Sequence, residues 1–305
     1  VPGSKIWINL GGGDGGDVAV DTSTMAGNGQ SIRYTSSQTL LSFVRTVWDA
    51  SGSLLSSVGL NYKDPTTGLK KNTVGDLIIP QFKTTVELNA INPERLILGA
   101  ANFPYESVNK GDSITQLDDD DVGTIDLPVN GNGDPIAYGG MIGGSPNEAL
   151  LYVGSGSEVF VRTAAASDLV AKSFPGATVR DIVLDPDDGT ISFVVDDAGD
   201  VYMGTNTGGT WTKITGNLTG LGATDIRSIE FVPGTTDDSV VVGTNTGVFR
   251  AKGSDSYTTW AKVGTAVPNA LVYDMDYAAT DDVLIAGTLG RGAWKLSNAS
   301  KKINA

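Results

Sequence analysis

The chain contains no cysteine and no histidine. Without cysteine there is no disulfide framework and no thiol chemistry, and without either residue a zinc finger is excluded. The lack of histidine also removes histidine-based acid–base catalysis and histidine-ligated metal sites. Basic residues are few, because 21 Lys and Arg stand against 35 Asp and Glu, for a formal charge of −14. Such a surface repels phosphate backbones, so we expect no nucleic-acid partner.

Long apolar runs are missing as well. No stretch approaches the roughly 18 apolar residues that span a bilayer, so we expect no transmembrane segment. The opening Val1-Pro2-Gly3-Ser4 lacks the charged start and apolar run of a signal peptide, and we expect a mature or excised piece of a longer protein. The acidic charge, the abundant Gly and Thr and the missing Cys and His fit an extracellular bacterial protein. We therefore expect secretion or display at the cell surface.

The chain is rich in short β-type runs separated by turn residues, including 40 Gly among 305 residues. One phrase of apolar residues followed by Gly and a small residue recurs along the chain, and in one copy Asp replaces the Gly. Its anchors are Gly99, Gly154, Asp196, Gly243 and Gly287, at spacings of 55, 42, 47 and 44. In most copies an apolar–aromatic pair opens the next strand a few residues later. A weaker copy is Arg33-Tyr34-Thr35 followed by Leu40-Leu41.

A period in the forties with about four strands per copy is typical of a β-propeller blade. The sequence predicts an all-β, six-bladed propeller with four-stranded antiparallel blades, forming one domain over residues 1–305. A sandwich with chance internal similarity is the alternative. The predicted blades cover 17–65, 84–130, 136–177, 178–220, 224–268, and 271–296 joined to 1–10.

The strands can be placed within a copy. Equivalent phrases at 180–186, 227–233 and 273–277 are predicted to be innermost strands, and Trp211 and Trp260 to open outermost strands. The last copy has no outer strand of its own, whereas residues 6–10, Ile-Trp-Ile-Asn-Leu, have the pattern of one. We expect this N-terminal strand to join the last blade and close the ring, which would remove exposed strand edges.

A second repeated phrase lies before the outermost strands. It reads Gly204-x-Asn206-x-Gly208-x-Thr210-Trp211 and Gly253-x-Asp255-x-Tyr257-x-Thr259-Trp260, with a degraded form from Ser107 through Asn109 and Gly111. In such a turn the Asp or Asn side chain bonds backbone amides, Gly takes the positive-φ position, and Trp packs between blades. The phrase resembles the Asp-box of the bacterial neuraminidase repeat family, which includes sialidase-, xyloglucanase- and sortilin-like propellers. The Asp-box is structural and says little about function.

The resemblance raises two enzymatic possibilities. Sialidases of the family carry an arginine triad, a Tyr nucleophile with a Glu, and an Asp acid, but the Arg-Ile-Pro phrase of their first arginine is missing here. Xyloglucanase-like relatives use two catalytic Asp residues, and glycoside hydrolysis needs two carboxylates roughly 5 to 10 Å apart. Channel acids that could serve are Asp14, Asp17, Asp181, Asp225, Asp274 and Asp276.

We interpret the chain as a non-catalytic module that binds a glycan or a protein on the loop face around the channel, with a glycoside hydrolase as the alternative. An assembly role without a small ligand is a third possibility. The predicted binding residues share inner-strand or final-blade positions and are expected to converge on the axis: Asp17, Arg180, Asp181, Arg227, Tyr273, Asp274 and Arg291.

No cofactor is expected, with one open point. The run 118–121 is four consecutive Asp residues, and clustered carboxylates can hold Ca²⁺. Asp119 and Asp121 would then be ligands. Because the run does not have the spacing of an EF-hand loop, a solvated acidic loop is the interpretation we favour.

Overall fold

The computed structural model describes residues 14–60, 78–117, 127–131, 133–264 and 269–305. These residues form six antiparallel sheets, one for each predicted blade, together with one short α-helix and four 3-10 helices. The six-bladed propeller predicted from the repeat is therefore confirmed. No helix in the described ranges is long and apolar enough to cross a membrane.

Each blade is an up-and-down sheet. The first three blades consist of β1 Gly15–Asp21, β2 Ser31–Ser37, β3 Val44–Trp48 and β4 Leu54–Gly59; β5 Thr85–Leu88, β6 Leu96–Gly99, β7 Pro104–Ser107 and β8 Thr115–Gln116; and β9 Ile136–Ile142, β10 Ser145–Ser155, β11 Glu158–Arg162 and β12 Val170–Lys172.

The other three blades follow the same order. They consist of β13 Val179–Leu184, β14 Ser192–Asp196, β15 Val201–Thr205 and β16 Thr210–Lys213; β17 Ile226–Val232, β18 Ser239–Thr244, β19 Gly247–Lys252 and β20 Ala261–Lys262; and β21 Val272–Ala278, β22 Val283–Thr288 and β23 Gly292–Ser297. The 3-10 helices are Ala26–Asn28, Gln38–Leu40, Thr219–Leu221 and Gly253–Asp255, and α1 is Ala299–Ile303.

The first strand of each blade is innermost, since neighbouring first strands pack against one another around the axis. The phrases at 180–186, 227–233 and 273–277 lie on β13, β17 and β21, as predicted. The apolar–Gly phrase lies on the second strand of four blades, the copy with Asp196 lies on β14, and the weaker copy Arg33-Tyr34-Thr35 lies on β2. One detail is wrong: Leu40-Leu41 does not open the third strand of the first blade, because a 3-10 helix comes first and β3 begins at Val44.

Apolar cores fill the seams between consecutive blades. Separate clusters of buried side chains occupy the five seams from the first blade to the sixth. The Trp residues predicted to pack in seams do so. Trp260 is 2% exposed and its indole N–H donates to the carbonyl of Ile214 at 2.9 Å, while Trp211 packs edge-on against Phe174.

The turns that carry the phrase resembling an Asp-box lie between the third and fourth strands, as predicted. Gly111 and Gly208 have positive φ values of 83° and 75°, and Tyr257, in the third turn, also has positive φ. The main-chain N–H of Ser113 donates to Asn109 Oδ1 at 2.9 Å. The prediction fails for the other two side chains: within the described ranges the bonds at Asn206 and Asp255 are accepted by their main-chain carbonyls, from the N–H groups of Gly209 and Thr258 and from the hydroxyls of Thr207 and Thr258. The main-chain carbonyls, and not the Asn and Asp side chains, therefore accept the bonds that close these two turns.

The predicted closing strand, 6–10, lies outside the described residues. Deletion of residues 1–12 is expected to lower the melting temperature sharply, because β23 would keep an unpaired edge and the ring would lose its closure. Scanning calorimetry measures the effect, with deletion of residues 1–4 as the control that leaves 6–10 in place. An unchanged melting temperature in the longer deletion would contradict closure.

Candidate functional site

All six inner strands line one cavity along the propeller axis. Its volume is about 440 Å³. We call the side of the ring where the inner strands begin the upper face, and the other side the lower face. The cavity extends from Asp17 and Asp274, near the starts of β1 and β21, to Asp185 and Pro186 at the lower end of β13.

The cavity is strongly acidic. Eight of its described lining residues are carboxylic acids and none is Lys or Arg, so nothing on the wall itself balances their charge. The acids are Asp17, Glu87, Asp134, Asp181, Asp185, Glu230, Asp274 and Asp276. Of the acids that the sequence placed at the channel, Asp17, Asp181, Asp274 and Asp276 are confirmed as lining it.

The residues Asp17, Asp134 and Lys83 meet at the upper end of the cavity. The Lys83 ammonium donates to Asp134 Oδ2 at 2.7 Å and lies 3.5 Å from Asp17 Oδ1. Burial and the charge of Asp134 raise the pKa of Asp17 to about 7. Burial would lower the pKa of Lys83, but the two carboxylates outweigh it and raise that pKa. The single ammonium of Lys83 therefore forms ion pairs with the carboxylates of both Asp17 and Asp134.

Closer to the lower face, the carboxylates lie near one another, and the described lining of the cavity provides no Lys or Arg to pair with them. Burial and the charge of Asp134 raise the pKa values of Glu87 and Asp181 well above their usual ranges. Burial and the charge of Asp276 do the same for Glu230. Asp274 and Asp276 are exposed to the open lumen, yet the surrounding protein still raises their pKa values. The channel therefore favours protonated carboxyls, or a cation brought in from outside.

Two of the acids also join neighbouring inner strands. The main-chain N–H of Val86 on β5 donates to Asp17 Oδ2 at 2.9 Å, and that of Ile229 on β17 donates to Asp181 Oδ2 at 2.8 Å. Each carboxylate therefore links its own blade to the next one. Such bonds fix the side-chain position and leave less freedom for proton transfer.

A β-bulge recurs at the start of four inner strands and sets the side chains of the upper face. The register shifts between Gly15 and Val18 in β1 and at the equivalent places in β13, β17 and β21. The residues at the last three bulges are Arg180, Arg227 and Tyr273. Bulges change the direction of a side chain, and here they place three predicted binding residues at matching positions.

These residues form a row across the fourth, fifth and sixth blades. Arg180 donates to Asp225 Oδ1 at 2.5 Å and to the carbonyl of Ile226 at 2.9 Å. Arg227 donates to Asp225 Oδ2 at 3.0 Å, and its guanidinium carbon lies 5.7 Å from the centre of the Tyr273 ring. Tyr273 remains 46% exposed. Asp225 is therefore an ion-pair partner of both arginines and not a channel acid.

Arg291 does not join this row. It is exposed and lies in the turn between β22 and β23, one strand outward from the inner strand, and it is absent from the described cavity wall. The sequence repeat could not show that Arg291 lies away from the row. Placing a residue in the last blade does not say on which strand or turn it lies, and therefore does not give its distance from the axis.

Sequence reasoning missed a buried polar cluster between the second and third blades. Glu106 Oε1 accepts hydrogen bonds from Arg162 at 2.6 Å, Arg95 at 3.0 Å and the Tyr138 hydroxyl at 2.5 Å. Arg162 is 3% exposed. Burial would raise the pKa of Glu106, but the bonds from Arg162 and Tyr138 hold it below its usual range. No local motif marks partners that lie 11, 32 and 56 positions from Glu106.

No group of acidic side chains with the geometry of a metal site occurs in the described part of the chain. The calcium ligands considered from the sequence, Asp119 and Asp121, lie outside the described residues.

The fold and the site define a six-bladed β-propeller with an acidic axial channel. No protein-family model matches the sequence, and no curated protein is similar to it. Among solved structures, the chain is similar to the computationally designed Ika8 protein, with 12% identity, a TM-score of 0.53, and coverage of 87% of this chain and 80% of that one.

Two glycoside hydrolases are also similar in structure. An ancestral GH74 enzyme has 14% identity and a TM-score of 0.60 over 96% of this chain and 38% of that one. The GH74 xyloglucanase from Xanthomonas campestris has 16% identity and a TM-score of 0.50 over 71% of this chain and 36% of that one. The chain thus spans little more than a third of each enzyme. At these identities the likeness shows the fold alone, and membership of the Asp-box family stays a prediction.

Proposed function

We propose that the chain is a non-catalytic, extracellular binding module, part of a larger secreted or surface protein, whose upper face binds a glycan. The observation that carries the proposal is the row Arg180–Asp225–Arg227, joined by ion pairs beside the exposed ring of Tyr273. A protein partner on the same face is the competing outcome. Localisation is tested by fractionating the native cells with an antibody to the chain, and recovery only from the cytosol would contradict it.

The row has the parts of a sugar site. Binding sites combine apolar surface with a few fixed polar groups that orient the ligand. Tyr273 supplies an exposed ring on which a pyranose can stack, and Arg227 limits the movement of that ring. Asp225 is shared by two guanidinium groups and keeps side-chain exposure of 34%, so it can accept from a ligand hydroxyl.

The negative net charge of the protein determines which charge its glycan ligand can carry. A protein with a formal charge of −14 and an acidic channel under its upper face repels polyanions. The two arginines do not offset this, because both already pair with Asp225. We therefore expect a neutral glycan, and not a sulfated or uronate-rich one.

Replacement of Tyr273 by Ala is expected to weaken glycan binding by about tenfold or more, because the stacking surface is lost while the arginine row stays in place. The ligand is first found on a glycan array with the wild-type chain. The dissociation constant for that glycan is then measured by titration calorimetry for both proteins.

Val108→Ala is the matched control, since Val108 is 56% exposed but lies in an Asp-box turn, at the rim and away from the row. Equal affinities of the wild type and Tyr273→Ala would contradict the proposed site. A wild-type chain that binds no glycan on the array, but is captured by a protein through the same row, would replace the glycan with a protein partner.

A glycoside hydrolase is the second candidate, and one observation favours it. The carboxylates of Asp17 and Asp134 contact the same ammonium and therefore lie close together. A pKa of about 7 would keep Asp17 protonated as a general acid near neutral pH. Against this, Asp17 is only 9% exposed and already accepts a main-chain hydrogen bond.

Assays on aryl glycosides and xyloglucan separate the two functions. If the chain is a non-catalytic binding module, it should hydrolyse neither substrate faster than a buffer control. Hydrolysis that disappears in both Asp17→Asn and Asp134→Asn, but survives Tyr273→Ala, would establish the enzyme and refute the non-catalytic function.

A further inference from the structure

The outermost strand of the first blade differs from those of the other blades. All six residues of β4, Leu54–Gly59, are exposed, and Leu54, Leu55 and Val58 are 51%, 50% and 41% exposed. The fourth strands of the second to fifth blades have only two to four residues. Among the fourth strands that the structure describes, β4 is therefore the only long apolar one.

The sequence of β4 also lacks the features that protect exposed strand edges. Natural edge strands are kept short or carry charges, Lys above all. The outermost strands β12, β16 and β20 each end in a lysine, at Lys172, Lys213 and Lys262. The β4 sequence, Leu-Leu-Ser-Ser-Val-Gly, has no charge and no proline.

One edge of β4 is paired and the other is unpaired within the described chain. β4 pairs only with β3, with a register shift near Leu55 that leaves Ser56–Gly59 in regular antiparallel order. Its outer N–H and C=O groups therefore form a template for another strand. We propose that β4 pairs antiparallel with β4 of a second copy of this chain, so that two propellers form a two-fold dimer through a continuous eight-stranded sheet.

Charge and symmetry select a second copy as the occupant. Two molecules with a formal charge of −14 repel one another over most of their surfaces, and an uncharged strand is where they can approach. A two-fold axis near Ser57 places Val58 of each copy against the segment 55–57 of the other. The pairs formed are apolar or hydroxyl pairs, and no like charges face each other. A basic peptide would find no carboxylate on this strand.

The dimer is expected to be weak. One strand pair of about six residues buries less than the roughly 1,200 Å² of a standard interface, so dissociation in the micromolar range is expected. Sedimentation equilibrium of the whole chain across that range should show a monomer–dimer equilibrium.

Val58→Glu tests the edge directly. Glutamate is chosen because Val58 lies opposite Arg45 on β3, so that a lysine would face a like charge within the blade. In the dimer the new carboxylates are brought close together, and the dimerisation constant is expected to fall about tenfold or more. Val170→Glu is the matched control, since Val170 is also 41% exposed on an outermost strand, β12. The control should dimerise like the wild type.

Hydrogen exchange locates the contact independently of the variants. Main-chain amides on the outer edge of β4 should become protected as the protein concentration rises, while those of β12 and β16 should not change. A chain that stays monomeric at all concentrations overturns the proposal. So does equal weakening by Val58→Glu and Val170→Glu, or full protection of the β4 amides in the dilute monomer, which would mean that another part of the chain covers the edge. Glycan binding through Tyr273 is measured separately and does not depend on the result.

Discussion

Glu106→Gln is expected to lower the free energy of unfolding by about 3 to 5 kcal/mol, the cost of removing one partner from a buried ion pair. The variant keeps the shape of the side chain but removes its charge. Arg162, which is 3% exposed, would then be a buried guanidinium without a described carboxylate partner, bonded only to neutral oxygens such as the carbonyl of Ala149. Urea denaturation measures the change, and an unchanged m-value would show that the folded state remains compact.

Glu94→Gln is the control for this variant. Glu94 also pairs with a cation, Lys110 at 2.8 Å, but its side chain is 47% exposed. Exposed pairs contribute about 0 to 1 kcal/mol, so this variant should be close to the wild type. If both substitutions cost the same, the cluster between the second and third blades has no special role in stability.

The second large effect is an inverted dependence of stability on pH: the chain is expected to be more stable at pH 5.5 than at pH 8.5. Channel acids with raised pKa values hold protons in the folded state that the unfolded chain has already lost, so stability falls as the pH rises from about 4 through the folded pKa. For Asp17 alone, a pKa raised from 3.8 to about 7 corresponds to on the order of 4 kcal/mol at alkaline pH. Glu87, Asp181 and Glu230 act in the same direction.

Asp17→Asn isolates one contribution. The amide oxygen can still accept from Val86 N–H, but it cannot ionise, so at pH 8.5 the melting temperature should exceed that of the wild type by about 5 °C. At pH 5.5 the difference should be about half as large, and near pH 4 the two proteins should agree closely. The exposed Asp187→Asn is the control and should leave the pH dependence unchanged. A wild-type melting temperature that rises steadily from pH 5.5 to 8.5 would contradict the acidic-channel account. Below about pH 4 the effect reverses, because carboxylates held below their usual pKa range, such as Glu106, become protonated.

The fold was predictable because the same local physics recurs in every blade. The apolar phrase of the second strands repeats at spacings of 42 to 55 residues, and Trp211 and Trp260 stand at equivalent places in two blades. Each copy alone is a weak signal, and the repetition makes the set a strong one. Matching positions within the blades were predictable for the same reason. Arg180, Arg227 and Tyr273, which occupy matching positions in the sequence repeat, do lie on equivalent bulges.

The contents of the site were less predictable. Lys83 comes from the segment before β5 and reaches Asp134, 51 residues away. Glu87 and Glu230 lie at inner-strand positions where other blades have Ala, Val or Asp. The residue type at this position does not repeat around the ring, so the repeat does not identify these two residues as part of the site. Arg291 shares the last blade with Tyr273 but not its distance from the axis. Only the packing of the blades around the axis brings such residues together or keeps them apart.

Repetition in the sequence alone determined the number of blades, the order of strands within each and the identity of the innermost strand, because each depends on periodicity and turn chemistry within about 45 residues. The tertiary structure decided which side chains meet, namely the buried cluster at Glu106 and the ammonium of Lys83 between two carboxylates. It also decided that the outer edge of β4 is unpaired among the residues that the structure describes. These depend on contacts between different blades, and burial and distance across a seam are set by the packing of the whole ring and not by any one segment.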